Sequence, residues 1–230
     1  IYTVKEVQAP ANYGLNPTVF TADIEFAGQV VKLNVTDPVI TAGVSIKKTG
    51  YAQTMNNNVM RWTVSGVRND STTSLQSFYW RDTLPTDAVR LTRLVTGTYS
   101  TTQTYKVTFT TNLNSQWRTA YDNLSTAKNY TLDMSSAALG LASNEYVTQF
   151  MLSFGIVPAG FHQLTNATVD AQTLYALTNG YKFTNKADVG GLLGGNWVQS
   201  IARWTTSVYS HYVPAKPAAP KSPKLPRTGY

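Results

Sequence analysis

Apolar and polar residues alternate along most of the chain, which is the pattern of β-strands that bury one face. Proline, glycine and Asn-rich turns separate the alternating runs. Two further stretches, 115–124 and 170–177, favour short helices. Many short strands at close spacing predict an all-β sandwich of the immunoglobulin-like kind with short helices. The predicted strands are 2–7, 19–26, 30–35, 44–48, 59–64, 77–80, 104–109, 146–154 and 181–189.

This pattern divides the chain into three parts. Residues 1–37 hold three predicted strands, which are too few to bury a core, so we expect them to be the C-terminal part of a β-domain. Residues 38–212 form the predicted sandwich. Residues 213–230 are rich in Pro, Ala and Lys, and we expect a disordered, partly polyproline spacer.

The amino-acid composition argues against several classes of function. Charged residues are 13% of the chain, and the net charge of +7 is spread rather than gathered on one face, so nucleic-acid binding is not predicted. The chain has no cysteine, which excludes disulfides and a thiolate nucleophile. Its two histidines, His162 and His211, are far apart in sequence, so we predict no metal site and no cofactor. No run approaches the ~20 apolar residues of a membrane span.

The most specific motif stands at the end of the spacer. It resembles the Leu-Pro-any-Thr-Gly sorting signal of Gram-positive surface proteins. That resemblance implies a sortase that cuts after Thr228 and joins the chain to peptidoglycan or to a neighbouring pilin subunit. It also implies a secreted protein of the cell wall, or a pilus. The motif residues are Leu225, Pro226, Arg227, Thr228 and Gly229.

The opening segment has a resemblance of its own. Residues 2–13, with a Glu, an Ala-Pro pair and a Tyr, look like the closing part of a Cna-B-type domain. In that family a strand lysine attacks an Asn side chain with the help of the Glu. The resemblance implies that Glu6 is the assisting acid and Asn34 the acceptor, with the lysine expected upstream of Ile1.

The larger part, over residues 40–210, resembles the pilin-type modules of the same surface proteins. Residues 44–50 look like their first strand, residues 80–85 like their Asp-Thr-Leu-Pro corner, and residues 183–187 like their last strand. Many such modules form an isopeptide bond between a Lys of the first strand and an Asn of the last, beside a carboxylic acid.

The alternation of side chains along strands indicates the same cross-link independently of the resemblance. It turns Lys48, Asp82 and Asn185 toward the apolar face of their strands and Lys47 outward. Burial disfavours charge, so the Lys48 amine becomes a nucleophile and a protonated Asp82 can donate a hydrogen bond to the Asn185 carboxamide. Glu145 is an alternative acid and Lys47 an alternative amine. Ordinary structural roles are the alternatives for these three residues: a strand lysine extends its amine to solvent, an Asp caps a turn, and an Asn fills a bulge.

The function predicted from these features is that of a structural stalk or pilin subunit rather than an enzyme. An adhesin that binds a host glycan or protein is the alternative, and a secreted enzyme using a pair such as Asp82 and Asp87 is the third. The glycine run 190–195 lacks the Lys-Ser/Thr of a phosphate-binding loop and predicts a flexible connection. Core packing or a carbohydrate platform would account for the aromatic residues Trp62, Tyr79, Trp80, Trp117, Trp197 and Trp204.

Overall fold

A computed structural model describes residues 1–10, 13–54 and 58–209. The regular structure of these residues is entirely β-strand, and none of them forms a helix able to cross a membrane. The strands are β1 Tyr2–Lys5, β2 Val19–Ala22, β3 Val44–Gly50, β4 Val59–Asn69, β5 Leu75–Thr83, β6 Val89–Val95, β7 Thr98–Tyr99, β8 Thr104–Thr111, β9 Arg118–Ser125, β10 Thr131–Asp133, β11 Val147–Val157, β12 Gln163–Thr165, β13 Ala167–Thr173, β14 Lys182–Leu193 and β15 Asn196–Ser207.

Two antiparallel sheets make up the sandwich. One has the strand order β10-β6-β13-β4-β3, and the other has the order β15-β14-β5-β11-β8-β9. Small two-stranded pairs, β1-β2 and β7-β12, lie outside them. The predicted all-β class is therefore confirmed. Within the sandwich, β3 of the first sheet packs against β14 and β15 of the second.

The core forms because the inward positions of both sheets are apolar. Trp62 on β4 and Trp80 on β5 are each fully buried. The indole nitrogen of Trp80 donates to the Tyr99 hydroxyl at 2.8 Å, so burial leaves this polar atom satisfied. Phe154 and Phe161 pack edge to face at 5.4 Å between ring centroids. Large aromatic side chains thus fill the space between the sheets.

Both predicted helices are wrong. Residues 118–125 form the edge strand β9, and residues 167–173 form β13, a central strand between β4 and β6. The sequence of β13 alternates, but two of its three apolar inward residues, Ala167 and Ala171, are alanines, which are depleted in strands, so the strand is hard to recognise. Asp170 lies on the polar side of the alternation and is nevertheless buried. That carboxylate is paired with Arg61 and Arg93, each at 2.6 Å, and charge pairing makes its burial tolerable.

Two other expectations fail. Residues 30–35 form no strand, so residues 1–10 and 13–37 contribute one antiparallel strand pair, β1-β2. The glycine run is not a flexible connection, because Gly190 and Gly191 lie inside β14. Glycine is required there since a Cβ would come within 3.0 Å of Tyr79 at position 190 and within 2.9 Å of Leu75 at position 191. Gly194 and Gly195, with φ of 56° and 84°, then make the tight turn into β15.

The segment that follows β3 connects this strand to the last strand, β15. The carbonyl oxygen of Tyr51 accepts from the Trp204 indole at 3.1 Å and from the Thr206 hydroxyl at 3.0 Å. The amide of Thr54 donates to the carbonyl of Ser207 at 3.0 Å. The first strand of the domain is thereby held against the last one.

A comparison of two glycines tests the packing. Gly97 has a φ of 73°, and an added Cβ would run into the carbonyl oxygen of Thr165; Gly140 has a φ of 64° with nothing near it. We expect Gly140→Ala to lower the free energy of unfolding by about 1–2 kcal/mol through backbone strain. Gly97→Ala should cost about 1–3 kcal/mol more because of the steric clash. Denaturant unfolding measures both, and equal losses would contradict the packing described at Gly97.

Candidate functional site

The candidate site lies inside the sandwich, where three strands approach one another. Lys48 comes from β3, Asp82 from β5 and Asn185 from β14. Strands β5 and β14 are paired so that Ala187 lies opposite Asp82, which brings Asn185, two residues earlier on the same face, beside the carboxyl group. The structure thus brings the three predicted residues together at a junction between the two sheets.

All three polar side chains are withdrawn from water. The side chains of Lys48 and Asp82 have no exposed surface, and Asn185 is fully buried. The Lys48 ammonium or amine nitrogen donates a short hydrogen bond to Asp82 Oδ2. Burial of this kind is rare for Lys and Asp unless the charges are paired.

Three polar atoms at the site nevertheless lack a hydrogen bond of ordinary geometry. They are Asp82 Oδ1 and both amide atoms of Asn185, Oδ1 and Nδ2. Burial raises the pKa of Asp82, and the nearby Asn185 amide opposes this shift only in small part. An unsatisfied buried polar group costs about 1–3 kcal/mol. Such a cluster in a well-packed core therefore calls for a specific explanation.

The surroundings of the site favour neutral side chains. Burial lowers the pKa of Lys48, and the negative charge of Asp82 opposes this shift only in part. Burial likewise raises the pKa of Asp82, against the opposing effect of Lys48. The ring of Trp62 lies 5.8 Å from Lys48 Nζ and packs edge to face against Phe183, which excludes water from the amine.

This arrangement has the parts of an amide-forming reaction. A neutral Lys48 amine is a nucleophile, whereas an ammonium group has no lone pair to donate. The carboxamide carbon of Asn185 is the electrophile. A protonated Asp82 can donate a hydrogen bond to the carboxamide oxygen, where negative charge develops during attack.

The alternative amine, Lys47, and the alternative acid, Glu145, lie away from this site. Lys47 is exposed on the outer face of β3, with its side chain near Gly66. Glu145 precedes β11, pairs with Arg118 and accepts a hydrogen bond from the Thr111 hydroxyl at 2.7 Å. These contacts, the Thr111 bond first, lower the pKa of Glu145, so this carboxylate is held in its charged form.

The N-terminal pair predicted by resemblance is not assembled in the same way. Glu6 accepts a hydrogen bond from the backbone amide of Asn16 at 2.6 Å. It also lies beside Asp37, whose pKa is raised by loss of solvent and then by the charge of Glu6. Asn34 is exposed and outside any strand. The roles of Glu6 and Asn34 stay predictions.

The sorting motif, Leu225 to Gly229, lies outside the described residues, as does the spacer before it. Within the described ranges, no cluster of three or more His, Asp or Glu side chains has the spacing to hold a metal ion.

Sequence reasoning missed the part that Trp62 plays. Its ring covers the Lys48 amine, which the alternation of β4 alone does not indicate. The signal is Gly50 taken together with the strand pairing, since β3 pairs with β4 and places Gly50 opposite Trp62. A Cβ at Gly50 would lie 2.6 Å from the Trp62 ring, so this glycine lets the ring sit close to β3.

Comparison with known proteins gives structural resemblances at low identity. A scan against protein families gives no match, and a search of the curated proteins gives none. Among solved structures, the chain is similar to the collagen-binding domain of a Staphylococcus aureus adhesin, at 12% identity over 70% of this chain and 99% of that one, with a TM-score of 0.30. It is also similar to the collagen-binding subdomain of the Enterococcus faecalis surface protein ACE, at 13% identity over 72% and 95%, with a TM-score of 0.33.

A third similar structure is the C-terminal domain of the Streptococcus agalactiae AgI/II polypeptide BspA, at 11% identity over 75% of this chain and 51% of that one, with a TM-score of 0.34. The chain thus spans about half the length of that domain. These neighbours are domains of Gram-positive surface adhesins and not enzymes. Their identities and TM-scores are too low to transfer a function to this chain.

The shifted pKa of Asp82 leads to a testable pH dependence. Lys48→Met keeps the side-chain volume but removes the amine, which opposes the burial-induced rise in the pKa of Asp82. The folded variant then holds a proton that the unfolded chain releases above the ordinary pKa of 3.8. Its free energy of unfolding should fall as the pH rises from 3.8 through the raised pKa of Asp82, by up to about 1.4 kcal/mol per pH unit.

Denaturant unfolding at a series of pH values measures this slope. The double variant Lys48→Met/Asp82→Asn is the control and should lack it. The same slope in both variants would show that Asp82 does not hold the proton.

Proposed function

We propose that this chain is a structural module of a Gram-positive cell-surface protein, strengthened by an intramolecular isopeptide bond between Lys48 and Asn185. The observation that carries the proposal is the buried group of Lys48, Asp82 and Asn185 with three unsatisfied polar atoms. The bond would remove one of these atoms, Asn185 Nδ2, as ammonia. The protonated Asp82 carboxyl would then donate a hydrogen bond to Oδ1 of residue 185, so that no charge is left in the core.

The alternative, a permanent ion pair, fits the site less well. Moving two charges into a core costs several kcal/mol per ion, and the attraction recovers this only when the remaining polar atoms are satisfied. Here Asp82 Oδ1 and the Asn185 amide are left over. By contrast, Asp170 on β13 is ion-paired through both of its oxygens. Asp170 therefore shows how this fold satisfies a buried carboxylate whose role is electrostatic.

The reaction balances without any added reagent. The lone pair of neutral Lys48 Nζ attacks Cγ of Asn185, and protonated Asp82 donates a hydrogen bond to Oδ1 as negative charge grows there. A proton passes from the attacking nitrogen to Nδ2, the Cγ–Nδ2 bond breaks, and ammonia leaves. The product is an amide that joins Lys48 to residue 185, with Asp82 again protonated.

The position of this bond suits a protein that bears tension. It connects β3, the first strand of the main domain, to β14, one strand before the last. By analogy with a disulfide that closes a loop of about 140 residues, the loss of unfolded-chain entropy is worth about 4–5 kcal/mol. A chain pulled from its two ends would transmit the load through the bond before the β3-β4 ladder opens.

Attachment by a sortase completes the proposal. The motif Leu225–Gly229 follows a Pro-rich spacer, and an extended, accessible segment is what a transpeptidase requires. We propose transfer of Thr228 to peptidoglycan or to a neighbouring pilin subunit, at the cell wall or in a pilus.

An enzyme acting on an external substrate has less support. The carboxylates considered for it, Asp82 and Asp87, occupy different environments. Asp82 is fully buried, whereas Asp87 is exposed and accepts a hydrogen bond from the Tyr181 hydroxyl at 2.7 Å. They do not share a cleft in which a substrate would meet both.

Intact-mass measurement tests the cross-link. The purified wild-type chain should be lighter than its sequence mass by one ammonia. Lys48→Ala and Asn185→Ala should each restore the full mass expected for the variant, because neither can form the bond. Asp82→Ala should do the same or accumulate the bond far more slowly.

The neighbouring lysine offers a matched control. Lys47→Ala removes an exposed amine one residue away and should keep the ammonia deficit. A wild-type chain at full sequence mass would overturn the proposed bond, and loss of the deficit in Lys47→Ala would reassign the amine.

Sortase transfer is tested separately. With purified sortases of several classes and a triglycine peptide, the wild-type chain should lose Gly229–Tyr230 and gain triglycine after Thr228. Leu225→Ala should remain unchanged. An intact Thr228–Gly229 bond with every sortase would remove the attachment from the proposal and leave the isopeptide bond untouched.

A further inference from the structure

The outer face of the six-stranded sheet carries an open groove of about 690 Å³. Residues of β5, β8, β9, β11 and β15 line it. Tyr79 and Arg81 of β5 face the groove, while Trp80 and Asp82 alternate with them and face the core. The groove and the Lys48 site therefore lie on opposite faces of one sheet.

Two tryptophans border the groove. Trp197 on β15 is 54% exposed, and Trp117, just before β9, is 40% exposed. Trp197 packs edge to face on Tyr79, with 5.8 Å between the ring centroids, so its ring is held in place rather than free in solution. Large apolar side chains exposed together at one concave site mark a binding surface more often than a chance arrangement.

The wall beneath Trp197 is a fixed polar network. The Tyr79 hydroxyl donates to Asp188 at 3.1 Å and accepts from the Gln199 amide at 3.0 Å. Arg81 makes two hydrogen bonds to Asp188, both at 3.0 Å. Side chains ordered in this way before binding reduce the entropy that a ligand must overcome.

Irregular backbone surrounds the same groove. Ser77, which lines it, has a φ of 50°, and Asn123, next to the lining residue Asp122, has a φ of 54°. Within the described ranges these are the two non-glycine residues with positive φ. The β5-β11 ladder is also bulged at Gly155. Strain and bulges recur at functional sites, where they redirect side chains.

The charges in the groove are balanced. Lys106 and Arg81 are cationic, while Asp122 lines the groove and Asp188 neutralises Arg81. A polyanionic ligand would require an excess of positive charge, which the groove lacks. A peptide that adds as a strand would require an open sheet edge, whereas this groove lies on a face.

From these features we propose that the groove binds a neutral oligosaccharide. A sugar ring has an apolar face that stacks on an aromatic ring and hydroxyl groups at its rim that suit the Gln199 amide and the Asp122 carboxylate. Trp197 and Trp117 supply two stacking positions. The proposal goes beyond the structural role and does not depend on the isopeptide bond or on sortase attachment.

The test uses the purified chain on an array of neutral and sialylated oligosaccharides. Binding of at least one neutral oligosaccharide is expected, with a change in tryptophan fluorescence on titration of that sugar in solution. Trp197→Ala and Trp117→Ala should each weaken the affinity about tenfold. The control Tyr175→Ala removes an aromatic ring that is 59% exposed away from the groove and should leave the affinity unchanged.

Circular dichroism confirms that each variant is folded. If Trp197→Ala does not fold, Trp117→Ala, which changes a residue outside the strands, decides the question. Absence of binding to every neutral oligosaccharide would overturn the proposal. The proposal would also be overturned if the tryptophan variants bound with the affinity of the wild-type chain, or if sialylated sugars alone bound. Binding of a proline-rich peptide without binding of any sugar would overturn it as well.

Discussion

The interaction on which the structure depends is the burial of an amine, a carboxyl group and a carboxamide between two apolar sheets. The side chains of Lys48 and Asp82 have no exposed surface, and the side-chain amide of Asn185 has no ordinary hydrogen bond. The surrounding aromatic side chains, Trp62 foremost, prevent water from solvating the amine. The same low polarity that makes these groups costly to bury also suppresses their charges, which is the condition for the amine to react.

The position of this group explains how one bond can serve the whole domain. The sandwich has its first strand at the edge of one sheet and its last strands at the edge of the other. Hydrogen bonds to Tyr51 hold these edges together from outside the core. A bond from Lys48 to residue 185 would make the same connection covalent, in a chain without disulfides. The groove on the opposite face of β5 would then rest on a rigid sheet.

The inward-facing positions were predictable from the sequence because side chains alternate strictly along a strand. The alternation of residues 44–48 turned Lys48 toward the core and Lys47 toward solvent, as the structure has them. The sequence of β13 does not stand out as a strand because two of its three apolar inward residues are alanines. The arginine partners of its Asp170 come from strands distant in sequence. The strand character of Gly190 and Gly191 depends on the close approach of β5, which no local pattern reveals. The sequence offers a carbohydrate platform for its aromatic residues, Tyr79, Trp117 and Trp197 among them. That these three meet at one groove depends on the pairing of strands and is not predictable from local patterns.

The most direct test of the central claim is tandem mass spectrometry of a tryptic digest of the wild-type chain. Trypsin does not cut after a lysine whose amine is in an amide bond. We predict a branched peptide in which Lys48 is joined to residue 185, with chain cleavage missing after Lys48. Two separate linear peptides, one ending at an unmodified Lys48 and one carrying an intact Asn185 carboxamide, would contradict the account.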